Sequence, residues 1–241
     1  EIFYSMDKFG YGNQKGTSYD QMKWHNLIAN IQWDFIINNN MVLKTKVSYN
    51  DYGSEQNQEK NLESVYNRLG VESNIKEITF GNTIKYIFDT GWNIKAGIRG
   101  NISKFHPGSS KVYDDEGSSV IDNNNDSDNL ITTIFGELEY NNEHWGHLML
   151  AARGNGFVSN RGKSNEYKTY NPELSISANK LITEWMGVET TFDYLSQYYH
   201  TLEGIPLGWS LDMIVPSSNT LKPEQSLQYY GGVYFKFKKN R

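Results

Sequence analysis

The chain has 241 residues, 37% hydrophobic, 14% aromatic and 21% charged, with a formal net charge of −5, no cysteine and a mean hydropathy of −0.66. Without cysteine there is no disulfide framework, thiolate zinc site or cysteine nucleophile, and a dispersed negative charge lacks the clustered basic footprint that nucleic acid requires. No stretch approaches the roughly 20 consecutive apolar residues of a transmembrane helix, whereas a transmembrane β-barrel stays open, because half of each strand faces water and the average remains polar.

The chain opens on Glu1-Ile2-Phe3-Tyr4 with no leader segment and stops at Lys238-Lys239-Asn240-Arg241, so both ends read as cut. Period-2 alternation then dominates. Leu27, Ala29, Ile31, Trp33 and Phe35 share one face, and Asn30, Gln32 and Asp34 the other. After a turn at Asn38-Asn39-Asn40, Leu43, Val47 and Tyr49 oppose Lys44, Lys46, Ser48 and Asn50, which predicts a hairpin.

A second hairpin sets Ile78, Phe80, Ile84, Tyr86 and Phe88 before a turn at Asp89-Thr90-Gly91, and Trp92, Ile94, Ala96, Ile98 and Ile102 after it. A third runs from Leu130 through Ile134, Leu138 and Tyr140 to a turn near Asn141-Asn142-Glu143, then Leu148, Leu150, Ala152 and Val158. A fourth places Tyr170, Leu174, Ile176 and Ala178 before an Asn179-Lys180 turn, and Met186, Val188, Phe192, Tyr194 and Tyr198 beyond it. A last strand carries Leu227, Tyr229, Val233, Phe235 and Phe237 on one face.

About nine or ten long strands result, each with roughly the 9 to 11 residues that a tilted strand needs to cross a bilayer. Long polar loops are expected at Gly53 to Ser73, Phe105 to Asp128, Ser159 to Glu166 and His200 to Pro223. Short turns at one end and long loops at the other are the arrangement of an outer-membrane barrel. Trp33, Phe35, Phe88, Trp92, Tyr140, Trp145 and Trp185 near the turns, and Tyr49, Tyr52, Tyr194, Tyr198 and Tyr199 near the loops, read as two aromatic girdles; in a soluble β-protein the same rings would cap strands. Nine strands do not close an even-numbered barrel, so the fold class expected is all-β, residues 1–241 forming one antiparallel transmembrane segment of a larger barrel.

Between the last two strands the pattern breaks at Pro206-Leu207-Gly208-Trp209-Ser210-Leu211-Asp212, Val215-Pro216 and Leu221-Lys222-Pro223-Glu224. This run resembles the late-barrel loop of TonB-dependent outer-membrane receptors of the Bacteroidetes type. Tyr4-Ser5-Met6-Asp7-Lys8-Phe9-Gly10-Tyr11-Gly12 is similar to an extracellular loop of the same receptors. The resemblance implies a 22-stranded outer-membrane barrel filled by a plug, importing an iron chelate, a cobalamin-like cofactor or an oligosaccharide, with no cofactor of its own. Energy would come from the TonB–ExbB–ExbD complex through a plug and TonB box that this sequence does not contain, and a surface lipoprotein is a possible partner. The final aromatic residue of such barrels is also lacking.

Tyr198, His200, Trp209 and Asp212 are the substrate-contact candidates, against a plainer role in loop packing. Asp122-Asn123-Asn124-Asn125-Asp126-Ser127-Asp128 spaces oxygens like half a calcium loop but lacks the turn glycine and the closing glutamate, so a solvated loop is the better expectation. His144 and His147 lie at a presumed periplasmic turn, and no catalytic or metal site is expected there. Lys44, Lys46, Lys95, Arg99, Glu137, Glu139, Glu173, Glu189 and Asp193 mix both signs on the polar face, as a wetted wall does. The alternative is a soluble all-β carbohydrate-binding module, in which Ile94, Ala96 and Ile98 are core rather than lipid-facing.

Overall fold

In a computed structural model, residues 1–12, 18–62, 65–113, 126–142, 146–202 and 213–236 are described. They form β1 (Ile2–Gly12), β2 (Ser18–Asn38), β3 (Met41–Leu62), β4 (Val65–Ile87), β5 (Trp92–Tyr113), β6 (Ser127–Asn142), β7 (Gly146–Ser159), β8 (Tyr167–Leu181), β9 (Met186–Gln197), β10 (Tyr199–Leu202), β11 (Met213–Pro216) and β12 (Glu224–Phe235). A 10-stranded antiparallel meander takes β1 to β9 in order and then β12, leaving β1 and β12 as open edges, while β10 and β11 make a separate two-stranded ribbon. The all-β antiparallel expectation holds at this level, and the sheet is not closed.

Register turns the alternation along each strand into two chemically opposite faces. One unbroken cross-strand row runs Phe35–Leu43–Ile84–Ala96–Gly136–Ala152–Leu174–Tyr194–Leu227, from β2 through β9 to β12. A neighbouring row carries Ile94, Leu138, Leu150, Ile176, Phe192 and Tyr229. Among the described residues no second layer covers this apolar face: Ile98 is 54% exposed and Ile134 70%. Hydroxyls within the band bond inside the sheet, Thr45 Oγ1 to Asn82 Oδ1 at 2.6 Å and Thr190 Oγ1 to the Tyr230 carbonyl at 3.1 Å.

Four features differ from the sequence reading. Tyr4 to Gly12, expected as loop, belongs to β1 and pairs along β2 from Ile2↔Ala29 to Gly12↔Tyr19. The expected loop from Gly53 to Ser73 is a continued ladder, from Gly53↔Asn74 to Leu62↔Val65, and Phe105 to Tyr113 likewise stays in β5. None of these stretches keeps one continuous apolar face: in β1 the apolar residues switch from Tyr4 and Met6 on one face to Phe9 and Tyr11 on the other, and the remaining stretches are mostly polar; backbone pairing and contacts such as Gln58 Nε2 to Asp20 Oδ1 at 2.8 Å hold them. The Asn179-Lys180 turn falls inside β8, since Asn179 pairs with Glu189, and the chain reverses at 182–185.

The turns after β2 and β4 lie where expected. Gly91 has φ +85°, and a Cβ there would lie 2.4 Å from the Asn141 carbonyl oxygen, so this turn requires glycine. The loop from 160 to 166 is pinned by the Gly162 amide donating to Glu166 Oε2 at 2.8 Å; that bond and Lys168 hold the Glu166 carboxyl below its usual range.

Candidate functional site

The polar face is built from the positions that alternate with the apolar rows. Its charges pair locally: Lys95 with Glu137 and, at 3.7 Å, Glu139; His147 with Glu139 at 3.0 Å; Arg153 with Glu173 at 2.9 Å; Lys44 with Asp34 at 3.3 Å. Ser175 Oγ donates to Asp193 Oδ1 at 2.5 Å. The mixed-sign wall expected from sequence is therefore largely a set of cross-strand neutralising pairs.

At the loop end of this face sits the only buried aromatic cluster among the described residues, built from Phe157, Tyr167 and Tyr198 with Tyr199 of the ribbon packed against it. Tyr198 stacks on Phe157 with centroids 4.8 Å apart, and Tyr199 stacks on Phe105 at 4.8 Å. Asn171 Nδ2 donates to the Tyr198 hydroxyl at 3.2 Å, and the Tyr199 and Ser103 hydroxyls lie 3.1 Å apart. Burial pushes the Tyr199 phenol up to about 12 and raises Tyr198 as well. Ser159 Oγ donates to the Ser217 carbonyl at 2.7 Å, which ties the residue after β11 to the end of β7.

His200 completes the clasp. Its Nε2 lies 2.9 Å from Ser217 Oγ and its Nδ1 3.1 Å from Glu224 Oε1, an order of groups shared with nucleophilic serine triads. The surroundings give it another use. Ser217 is wholly buried, and its hydroxyl lies 3.0 Å from the Tyr198 carbonyl, which also accepts the Ser217 amide at 2.8 Å. Among the described residues that oxygen is enclosed, and its hydrogen bonds run to His200 and Tyr198 within the strap. The histidine joins β10, the segment after β11 and the start of β12 into one folded strap.

Of the four contact candidates, Tyr198 and His200 are thus brought together and buried, at 5% and 4% exposure, in the packing of the strap. Trp209 and Asp212 lie outside the described residues, as do His144 and most of the Asp122 to Asp128 stretch. Within that stretch Asp126 meets His106 Nδ1 at 2.5 Å, and Ser127 and Asp128 already belong to β6. No group of three metal-ligating side chains occurs among the described residues. Tyr198 and Tyr199 leave the girdle expected of them for the polar face. The partners Ser217, Ser159, Asn171 and Phe157 carry no motif; the nearest signal was the proline-bracketed break between β9 and β12.

Comparisons with models of protein families, with curated proteins and with solved structures each return no match.

Proposed function

We propose that this chain is an arc of the wall of an outer-membrane β-barrel, part of an active-transport receptor of the TonB-dependent type. One observation carries the reading: the uncovered apolar band has the height of a bilayer and ends where the same face becomes charged. On β5 the band runs from Trp92 to Ile102, about 33 Å at about 3.3 Å per residue. At the roughly 40° tilt of membrane strands this is about 25 Å of vertical thickness. The next row on that face reads Leu27–Asp51–Lys76–Lys104–Asp128, with Lys76 and Asp51 paired at 3.6 Å. At the turn end the band closes on paired rings, Trp92 with Tyr140 at 4.6 Å and Trp185 with Phe235 at 5.8 Å.

In this reading the polar face lines a water-filled lumen, the strap folds over its outer mouth, and β1 and β12 pair with further strands. The imported solute is large and scarce: an iron chelate, a cobalamin-like cofactor or an oligosaccharide. Energy from the TonB–ExbB–ExbD complex reaches it through a plug, a receptor of the nutrient-scavenging type would add a surface lipoprotein, and no catalysis is involved. The test is solubility in the folded state. Folding to a monodisperse β-structure only in detergent or lipid supports the reading, whereas a folded monomer in plain buffer overturns it in favour of a soluble carbohydrate-binding module.

A further inference from the structure

A hollow of about 350 Å³ lies on the polar face over β2 to β6, lined among others by Lys44, Lys46, Gly81, Arg99 and Phe135. The register creates it. Lys46, Gly81 and Arg99 are direct cross-strand neighbours on β3, β4 and β5. The two cations therefore stand two strand spacings apart, about 10 Å, with no side chain between them. A Cβ on Gly81 would meet nothing nearer than the Ile98 carbonyl oxygen at 3.6 Å and Arg99 Cγ at 3.9 Å, so the gap is open room. One row toward the turns, the Phe135 ring covers Gly97, its nearest atom 2.7 Å from where a Cβ would stand, and this ring forms a wall. Lys44 and Thr83 bound the hollow on that side, Ser48 and Thr79 on the other.

The charges here do not cancel. Lys44 is held by Asp34 at 3.3 Å, and the nearby Glu137 and Glu173 are taken by Lys95 and Arg153. Among the described residues, neither Lys46 nor Arg99 has a carboxylate within ion-pair distance, and the remaining members of their row, Gln32 and Thr133, are neutral. Two cations without a carboxylate partner among the described residues thus face each other across a hollow edged with hydroxyls and by the Lys44–Asp34 pair. A planar guanidinium on one side suits a bidentate oxyanion, and an ammonium on the other supplies a point charge.

We propose that this hollow binds an acidic group of the solute, a carboxylate or phosphate, between Arg99 and Lys46. The inference deepens the receptor reading and rests on it for the identification of this face as the lumen. Citrate and inorganic pyrophosphate are the probes, titrated calorimetrically at 0.15 M salt into the chain in whichever medium, buffer or detergent, keeps it folded by near-UV circular dichroism. One saturable site for at least one of them is expected. Arg99→Gln and Lys46→Gln should each weaken it at least tenfold. Gly81→Val, which fills the gap and leaves both charges, should abolish it, and Lys76→Gln on the opposite face should leave it unchanged. Absence of saturable binding by either probe, or a Gly81→Val chain that binds like the parent, overturns the proposal. Folding in plain buffer overturns the receptor reading separately, whatever the titration gives.

Discussion

At the scale of single residues, the buried phenols of the strap set the sharpest expectation. Tyr199 is neutral when protonated, and its pKa rises from the usual 10.0 in an open chain to about 12 when docked. The docked form therefore holds its proton more tightly, so the associated stability is complete below pH 10 and is lost as pH rises toward 12. Tyrosinate absorbance should show a late-titrating phenol that disappears in Tyr199→Phe; equal titration curves for the two chains would contradict the docked geometry. A position on the uncovered apolar face, lipid-facing under the proposed reading, gives a second test. Ile98→Lys places a charge near the middle of the apolar band and should cost about 2–4 kcal/mol of folding stability in lipid, measured by urea unfolding from vesicles. Asn101→Lys on the polar face of the same strand should cost far less. Pairing of Lys95 with Glu137, by contrast, was not visible as a pair in the sequence, because their separation of 42 residues closes only when β5 and β6 align.

Among elements, the strap departs furthest from the regular meander. Its rings fill the space over Phe105 and Phe157, so Phe157→Ala should weaken docking by roughly 3–5 kcal/mol. If so, the paired amides of His200 and Val215, which fall in the hydrogen-bonded register set by the Ser217 amide on the Tyr198 carbonyl, exchange with deuterium at least about 100-fold faster, since each 1.4 kcal/mol is a factor of ten. Unchanged exchange would show that the ribbon holds without the stack. Alternation located the hairpins from Leu27 onward, because one apolar face forces period 2 and a one-residue slip would invert it. The same logic fails where no single face stays apolar, because apolar residues switch faces as in β1 or are sparse as in the outer halves of β3 and β4 and the end of β5, which is why these read as loops. The strap's proline-rich break was legible as an interruption. Its destination was not, since His200, Ser217 and Glu224 meet through a fold-back whose pairing leaves no local pattern.

For the whole molecule, what lies against the apolar face is what separates the membrane reading from the soluble one. A soluble sandwich of this size would bury Ile94, Ile98, Ile102 and Ile134 against a second sheet, and here they stand exposed in a single layer. The absence of cysteine makes the decisive measurement direct, because every spin label introduced is unique. Single cysteines at positions 93 to 103 of β5, labelled and placed in lipid, should alternate: collision with apolar oxygen high at Ile94, Ala96, Ile98 and Ile102, collision with a water-soluble nickel chelate high at Asn93, Lys95, Arg99 and Asn101. That two-residue alternation is what a bilayer-facing wall with a wet lumen predicts. Labels at the isoleucine positions that neither reagent reaches would contradict it, because the apolar face would then be the buried core of a soluble domain.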